Sequence, residues 1–315
     1  MAPEDELAAG FESHRSHLMA VAYRMLGTRT EAEDAVQEAW LRYAAADRSE
    51  IREPRAWLTT TTARICLDIL RSARVRREAY VGPWLPEPVV TRLPGPGGFG
   101  PDPAERAALT DEVSYALLVV MERLTPEQRV ALVLHDVFAV PFDEIAEVLS
   151  TTPAAARQLA SRARRAVADD GTPRHRPDRA EQRRVVAAFV AAVESGDIDG
   201  LLTVLAPDVV AVGDGGGAAP AGRHPVEGAV QVSRFMAGLF RRAMREAAVR
   251  FEPVLVNGEL GLLGEMTYLT GEVQRLVMAF AVADGRITRI FDQVNPAKLG
   301  SVPRLEASRS LRLGP

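Results

Sequence analysis

The sequence is short of cysteine, lysine, aromatic residues and long apolar runs. Cys66 is the only cysteine in 315 residues, so no intramolecular disulfide can form and no cysteine cluster can hold zinc. It lies in an apolar helical stretch, where an inert buried thiol fits better than a redox sensor. A reducing, cytoplasmic location is therefore expected. No apolar run approaches the ~20 residues that a membrane helix needs, so no membrane partner is expected. The opening M-A-P-E-D-E-L is acidic and lacks an apolar segment, which predicts no signal peptide. A net charge of −4 argues against a protein that coats nucleic acid indiscriminately. Lys298 is the only lysine, and the other basic side chains are arginine. Arginine use tracks a chain rich in Ala, Gly and Pro, so it carries less functional weight than usual. His14, His17, His135, His175 and His224 show no metal-ligand spacing, and neither metal nor cofactor is expected.

Against these absences stands T-P-A-A-A-R-Q-L-A-S-R-A-R-R, residues 152–165. At ~100° per residue it splits into two faces. Ala156, Leu159, Ala160, Ala163 and Val167 fall on one side. Arg157, Gln158, Ser161, Arg162, Arg164 and Arg165 fall on the other. Thr152 suits an N-cap and Pro153 the first helical position. Upstream, Phe142, Ile145, Ala146 and Leu149 recur at helical spacing, and Ser150 to Thr152 join the two segments. The pair reads as a helix-turn-helix whose second helix carries donors suited to phosphates and base edges. A basic surface helix on an ordinary helical hairpin is the plainer alternative.

Residues 7–79 read as all-helical. Phe11, Leu18, Val21, Ala22, Met25 and Leu26 mark a first helix that Gly27 stops. Thr30, with Glu33, is expected to box the start of a second. Its apolar side holds Ala32, Ala35, Val36, Ala39, Trp40 and Tyr43, with Trp40 in the core. Glu31, Asp34, Gln37, Glu38 and Arg42 form a mostly acidic side, either a solvated face or a dock for a basic partner. A third helix carries four consecutive threonines, Thr59 to Thr62, then Arg64, Arg71, Arg74, Arg76 and Arg77. Hydroxyls beside arginines suit a nucleic-acid surface, and equally a plain helix surface. Residues 80–103 are rich in Pro and Gly and read as a linker. Within it, W-L-P-E-P (Trp84, Leu85, Pro86, Glu87, Pro88) is stiff enough to dock with little entropy loss. One long helix is expected from Ala104 to Leu124, then another capped by Thr125 with Gln128. This makes 104–168 a helical module that the helix-turn-helix closes. After a second linker, 169–179, the pattern changes. Two helices split at Ser195-Gly196-Asp197 precede a strand entering D-G-G-G. A helix over 226–245 follows, then strands turned at Asn257-Gly258 and Asp284-Gly285. Residues 180–296 thus read as an α+β domain with a curved, mostly antiparallel sheet, and 297–315 as a C-terminal tail.

Helical module, linker and helix-turn-helix module are similar in layout to a small bacterial sigma factor. A-E-D-A-V-Q-E-A-W-L-R (32–42) resembles the polymerase-binding helix of sigma region 2. P-R-A-W-L-T-T-T-T-A-R-I-C-L-D-I-L-R (54–71) resembles the helix after it in extracytoplasmic-function (ECF) sigma factors. L-T-P-E-Q-R-V-A-L-V-L (124–134) and 142–165 resemble region 4, and the C-terminal domain resembles the SnoaL-like cone fold. W-L-P-E-P, D-G-G-G (Asp214, Gly215, Gly216, Gly217) and N-P-A-K-L (Asn295, Pro296, Lys298, Leu299) resemble signature segments of ECF factors carrying that fused domain. Ala218 stands where the group usually has lysine, and Ala297 where it usually has an acid. The resemblance implies a multidomain protein: two all-α sigma modules, then an α+β cone.

It further implies an alternative sigma factor, not an enzyme, with core RNA polymerase and promoter DNA, duplex and melted, as partners. Arg157, Gln158, Ser161, Arg162, Arg164 and Arg165 would read the minus-thirty-five element. Thr60, Thr61, Arg64, Arg71, Arg74, Arg76 and Arg77 would contact the melted minus-ten strand. Glu33, Asp34, Gln37 and Glu38 would dock polymerase. The C-terminal domain would regulate in cis through the three signature segments, with no separate anti-sigma factor expected. Two alternatives stay open. The cone could bind or turn over a small molecule, with Asp214, Glu265, Asp292 and His224 the acid–base candidates. Or the chain could be a non-sigma regulator with a ligand domain, which leaves 30–77 unexplained.

Overall fold

The structure, a computed structural model, describes residues 3–47, 49, 51–78, 80–93, 113–170, 178–305 and 311–313, with backbone alone for 3–6, 74–78 and 311–313. The chain divides into two compact units. The first holds the described residues up to 78, Val113 and 117–170, and the second holds 80–93, 114–116 and the described residues from 178 onward.

In the first unit, α1 (Pro3–Leu26), α2 (Arg29–Ala45) and α3 (Pro54–Glu78) pack on one another. Leu18, Val21 and Met25 of α1 meet Ala32, Ala35, Val36 and Ala39 of α2, and Leu58, Cys66 and Leu70 of α3, all buried. Small alanines on α2 let the backbones approach. Gly27, in left-handed conformation at φ 77°, ends α1 as expected. The box at Thr30 does not form. Thr28 is the N-cap residue instead, and its hydroxyl donates to Glu31 Oε2 at 2.8 Å rather than capping the backbone. Burial of Ala32, Ala35 and Ala39 starts the helix one turn-position earlier than Thr30 allows.

The helix expected over 104–124 is also corrected. Residues 94–112 lie outside the described residues. The chain is not helical at 113–114, and α4 spans only Tyr115–Met121. Tyr115 is drawn to tertiary partners: its hydroxyl donates to the Pro86 carbonyl at 2.8 Å and its ring meets Phe291 at 5.6 Å. α5 (Pro126–Leu132) has the expected capping box, with Thr125 and Gln128 bonded reciprocally. It runs into a wide turn, Val133–Val137. α6 (Phe142–Leu149) and α7 (Pro153–Asp169) follow, joined through Ser150 at φ 50° and capped by Thr152.

The second unit opens with β1 (Val90–Arg92), inside the segment expected as linker. α8 (Arg179–Ser195), α9 (Ile198–Val204), β2 (Leu205–Asp214), β3 (Val226–Glu227) and α10 (Ala229–Glu246) lead to four long strands. These are β4 (Ala247–Val256), β5 (Glu259–Tyr268), β6 (Val273–Ala283) and β7 (Arg286–Gln293), followed by a short β8 (Leu311–Leu313) beside β4. The order is β1-β4-β5-β6-β7-β2-β3, antiparallel except for the parallel β2–β7 pair. Both expected hairpins form. Asn257 and Gly258, then Asp284 and Gly285, all take positive φ, as a two-residue turn matching strand twist requires. Val185, Phe189, Leu201, Val209, Met236, Phe280 and Ile290 build one core between helices and sheet. Among the described residues no helix is long and apolar enough to cross a membrane.

Candidate functional site

The helix-turn-helix face is built by alanines. Ala156, Ala160 and Ala163 are buried, which turns the arginine side of α7 to solvent. Arg157, Gln158, Arg162 and Arg165 are exposed and Ser161 half-buried. Two of the six have protein partners. Arg157 sits over the Phe142 ring at 5.4 Å. Arg164 forks onto Asp136, Nε to Oδ2 at 2.7 Å and Nη2 to Oδ1 at 2.6 Å. Burial opposes it, yet hydrogen bonds from Arg164 and His135 hold the Asp136 carboxyl below its usual range. Arg164 thereby clamps α7 to the wide turn after α5, and its expected phosphate contact requires breaking that fork.

On α3 the expected minus-ten residues separate. Thr61 is only 8% exposed and Thr62 fully buried, because they continue the stripe through Leu58 and Ile65 that faces the three-helix core. The expectation that Thr61 meets nucleic acid is corrected for this state, and Thr60 is half-buried. Arg64 and Arg71 are exposed but tied to region 4 side elements within the same unit. Arg64 Nη2 donates to the Glu147 carbonyl at 3.3 Å, and Arg71 donates twice to Glu127 Oε1, at 3.1 and 3.0 Å. The side chains of Arg74, Arg76 and Arg77 lie outside the described residues. A buried contact backs these pairs. Arg129 bonds Glu122 and the Arg24 carbonyl, while Arg24 and His17 both lie against Phe138. Burial first, then Arg55, His14 and Arg24, lowers His17 to about 4.

The acidic face of α2 is open. Asp34 and Gln37 are exposed, and Glu33 and Glu38 are half-buried in i,i+4 pairs with Arg29 and Arg42. Leu41, 61% exposed, shares that face. Sequence reasoning missed it, although i, i+3, i+4, i+7 spacing from Asp34 aligns it with Gln37 and Glu38. Trp40 is half-buried, its ring 5.0 Å from Phe11.

The three signature segments converge on Asp214, whose exposure is 0%. Its Oδ1 accepts from the Tyr80 hydroxyl at 2.6 Å and from the Gly216 N–H at 3.0 Å. Its Oδ2 accepts from Lys298 Nζ at 2.7 Å, the Leu85 N–H at 2.9 Å and Gln293 Nε2 at 3.3 Å. Lys298 Nζ also donates to the Leu85 carbonyl at 2.6 Å and lies 3.9 Å from the Trp84 ring centre. Asn295 donates to the Tyr80 hydroxyl at 2.7 Å. Burial, then the Asp214 carboxylate, pushes the Tyr80 phenol upward. Glycine is required at the turn. A Cβ on Gly215 would lie 2.1 Å from the Ala219 carbonyl oxygen, and one on Gly216 (φ 59°) 2.3 Å from Asn295 Nδ2. Glu87 accepts from Ser301, and Val89 exchanges two hydrogen bonds with Asn257, leading into β1 on β4.

Two expectations change here. Residues 80–92 are not a free linker but an edge strand and buried strap of the second unit. Lys298, Leu299 and Val302, expected in a tail, are buried in its wall. Pro86, Pro88 and Leu85 are buried, Trp84 is half-buried, and Pro296 and Gly217 edge the cluster. Ala218 and Ala297 are both exposed, so the ionic contact of this site is Asp214–Lys298 and uses neither position. Tyr80 and Gln293 were missed; their signal was position, Tyr80 just before W-L-P-E-P and Gln293 just before N-P-A-K-L. The four acid–base candidates do not assemble. Asp214 is saturated by its partners, and Glu265 pairs with Arg250 at 2.8 Å. Only Asp292 and exposed His224 line one cavity together. Among the described residues no group of His, Cys, Asp and Glu could hold a metal.

A helix-turn-helix module and a three-helix module before an α+β domain define a multidomain transcription factor. Residues 11–76 match Sigma-70 region 2, residues 114–167 match Sigma-70 region 4, and residues 186–290 match the SnoaL-like domain. The chain belongs to the ECF RNA polymerase sigma factors, with a C-terminal SnoaL-like domain. It is 47% identical over 302 residues to the ECF RNA polymerase sigma factor SigJ of Mycobacterium tuberculosis, covering 94% of each chain. It is 39% identical over 210 residues to the probable ECF sigma factor SigI of the same species, covering 66% of this chain and 70% of that one. The crystal structure of Mycobacterium tuberculosis SigJ superimposes with a TM-score of 0.76 at 42% identity, covering 94% of this chain and 99% of that one. Membership implies binding to core RNA polymerase and promoter DNA. The non-sigma alternative is not favoured, since region 2 spans the segment it leaves unexplained.

Proposed function

We propose that α7 reads the minus-thirty-five duplex through Arg157, Gln158, Ser161 and Arg162, with Arg164 and Arg165 toward phosphates. Arg64 and Arg71, with Arg74, Arg76 and Arg77, contact the melted minus-ten strand, and Thr60 lies beside them. Asp34, Gln37, Glu33 and Glu38 dock polymerase, with Leu41 as their apolar centre. The SnoaL-like domain controls these activities in cis, in place of a separate anti-sigma factor.

One observation carries the regulatory part: the strap 80–92 is held through Asp214 and Lys298. The two promoter elements lie about 25 base pairs apart, roughly 85 Å at 3.4 Å per pair. Regions 2 and 4 must therefore part, breaking the Arg64–Glu147 and Arg71–Glu127 contacts. Release of residues 80–92 adds about 40 Å of extended chain between them. Strap retention thus favours the closed factor and strap release the open one.

Run-off transcription with core polymerase tests this, using the full chain, Lys298→Met and Asp214→Asn. The variants are expected to change promoter output severalfold while Arg157→Ala alters promoter choice. Unchanged output and polymerase affinity in both latch variants, with the fold intact by thermal melting, overturns cis control.

A further inference from the structure

In the second unit, α10 is as basic as the helix proposed to read the minus-thirty-five duplex. It carries Arg234, Arg241, Arg242 and Arg245 against Glu246 alone, as α7 carries Arg157, Arg162, Arg164 and Arg165 against Asp169 alone. All four arginines of α10 are exposed. Arg242 pairs with Glu246 at 3.0 Å, whereas Arg234, Arg241 and Arg245 have no ion pair among the described residues. At ~100° per residue these three fall on one line of the helix. Arg241 Nε donates to the Ala237 carbonyl at 3.2 Å, and Arg245 Nε to the Arg241 carbonyl at 3.3 Å. Each guanidinium is thus anchored by one nitrogen, with its Nη groups available.

A surplus of arginine in the composition does not account for this line, because surface arginines elsewhere are neutralised. Arg29 pairs with Glu33, Arg42 with Glu38, Arg71 with Glu127 and Arg164 with Asp136. Arg241 and Arg245 are instead like charges at i,i+4, an arrangement that destabilises a helix. The helix dipole favours Arg245, in the last turn, but its effect does not extend to Arg234. Nor is an apolar partner needed. The exposed Phe235 and Leu239 lie on the neighbouring line and also wall internal cavities, so a cause for their position exists within the domain.

We infer that this line of α10 is a further DNA contact, in which Arg234, Arg241 and Arg245 grip the phosphate backbone of a duplex. A guanidinium matches a phosphate with a fork of donors. The line runs about 16 Å at 1.5 Å per residue, the axial length of about five base pairs. Val230 and Gly238, beside the arginines on this face, offer no side-chain donor to a base edge, so the contact is sequence-independent. It adds to the two promoter readers and does not rest on the strap or on cis control.

Fluorescence anisotropy of the full chain on a labelled random-sequence 30-base-pair duplex, from 25 to 200 mM salt, tests this, with a random 30-nucleotide single strand as a second arm. Arg234, Arg241 and Arg245 are changed together to Gln in one variant and to Lys in another. A control changes Arg179, Arg183 and Arg184 of α8 to Gln and so removes the same net charge. The α10 Gln variant is expected to lose at least tenfold in duplex affinity at 50 mM salt. Its slope of log affinity against log salt is expected to flatten by about two to three, at about 0.9 for each phosphate contact. The Lys variant is expected to keep most of the salt dependence and the α8 control to change less than twofold, with thermal melting as the check on folding. The inference is overturned if the parent shows no salt-dependent duplex binding, or if the α10 Gln variant loses no more than the α8 control. Loss on the single strand alone overturns the duplex assignment. Loss of affinity for core polymerase with duplex binding intact makes the face a protein dock and overturns it as well.

Discussion

Lys298 Nζ sits 2.7 Å from Asp214 Oδ2, and both side chains are buried. The only lysine of an arginine-rich chain is spent here. The pocket asks for a compact ammonium that reaches a carboxylate and the Leu85 carbonyl while facing the Trp84 ring. A planar guanidinium spreads its donors in a fork and does not match that arrangement.

Lys298→Met is expected to destabilise the second unit by about 3–5 kcal/mol, because it strands a buried carboxylate. Lys298→Arg is expected not to restore it. Asp214→Asn combined with Lys298→Met is expected to cost less than the two single losses summed. Urea unfolding followed by tryptophan fluorescence reads the parent and the four variants, since Trp84 faces the ammonium.

Glu127→Gln frees Arg71 from region 4 while keeping the capping turn of α5. Stability is expected to change by less than about 1 kcal/mol, since the pair is exposed. Affinity for a melted minus-ten strand is expected to rise, measured by fluorescence anisotropy at fixed salt.

Arg157→Ala is expected to reduce discrimination at one minus-thirty-five position by about 1–3 kcal/mol, the worth of a bidentate arginine–guanine contact. Affinity for core polymerase is expected to stay unchanged. Competition binding on single-base operator variants separates this from a loss of folding.

Burial raises the Asp292 carboxyl from 3.8 to about 7. The folded state therefore holds this proton more tightly than the unfolded chain. Stability from this group is expected to fall as pH rises from about 4 to 7 and then to level off. The shift corresponds to at most about 4 kcal/mol. Glu194, Arg242 and Glu246 line the same cavity as Asp292. Asp292→Asn is expected to flatten the pH dependence and to melt higher than the parent above pH 7. His17, lowered to about 4, acts in the opposite sense in the first unit, which loses stability as pH falls below about 6.5.

Much of the architecture was legible because local chemistry demanded it. Thr125 with Gln128, Thr152 before Pro153, and the Asn-Gly and Asp-Gly turns each have a short-range reason to form, and each formed. The Thr30 box failed because another threonine, Thr28, stood two residues away and burial of the α2 alanines chose the start. Thr61 was read as a surface hydroxyl because four identical residues hide the helical phase; only packing against α1 revealed which of them face inward. Leu41 was overlooked for the opposite reason, an apolar side chain on a polar face with no local role.

By itself the sequence determined the helical modules, the helix-turn-helix with its arginine face, the hairpins of the sheet, and the segments that belong together. Each follows from periodicity, caps and turn residues within a few positions. The tertiary structure alone decided that residues 80–92 are a strap rather than a linker, and that Arg64 and Arg71 are tied to region 4 elements. It also decided that Asp214 receives Tyr80, Leu85, Gln293 and Lys298 at once. Those partners are separated by 79 to 134 positions along the chain. No local preference encodes such pairings; they exist because a buried carboxylate must find its donors wherever the folded chain brings them.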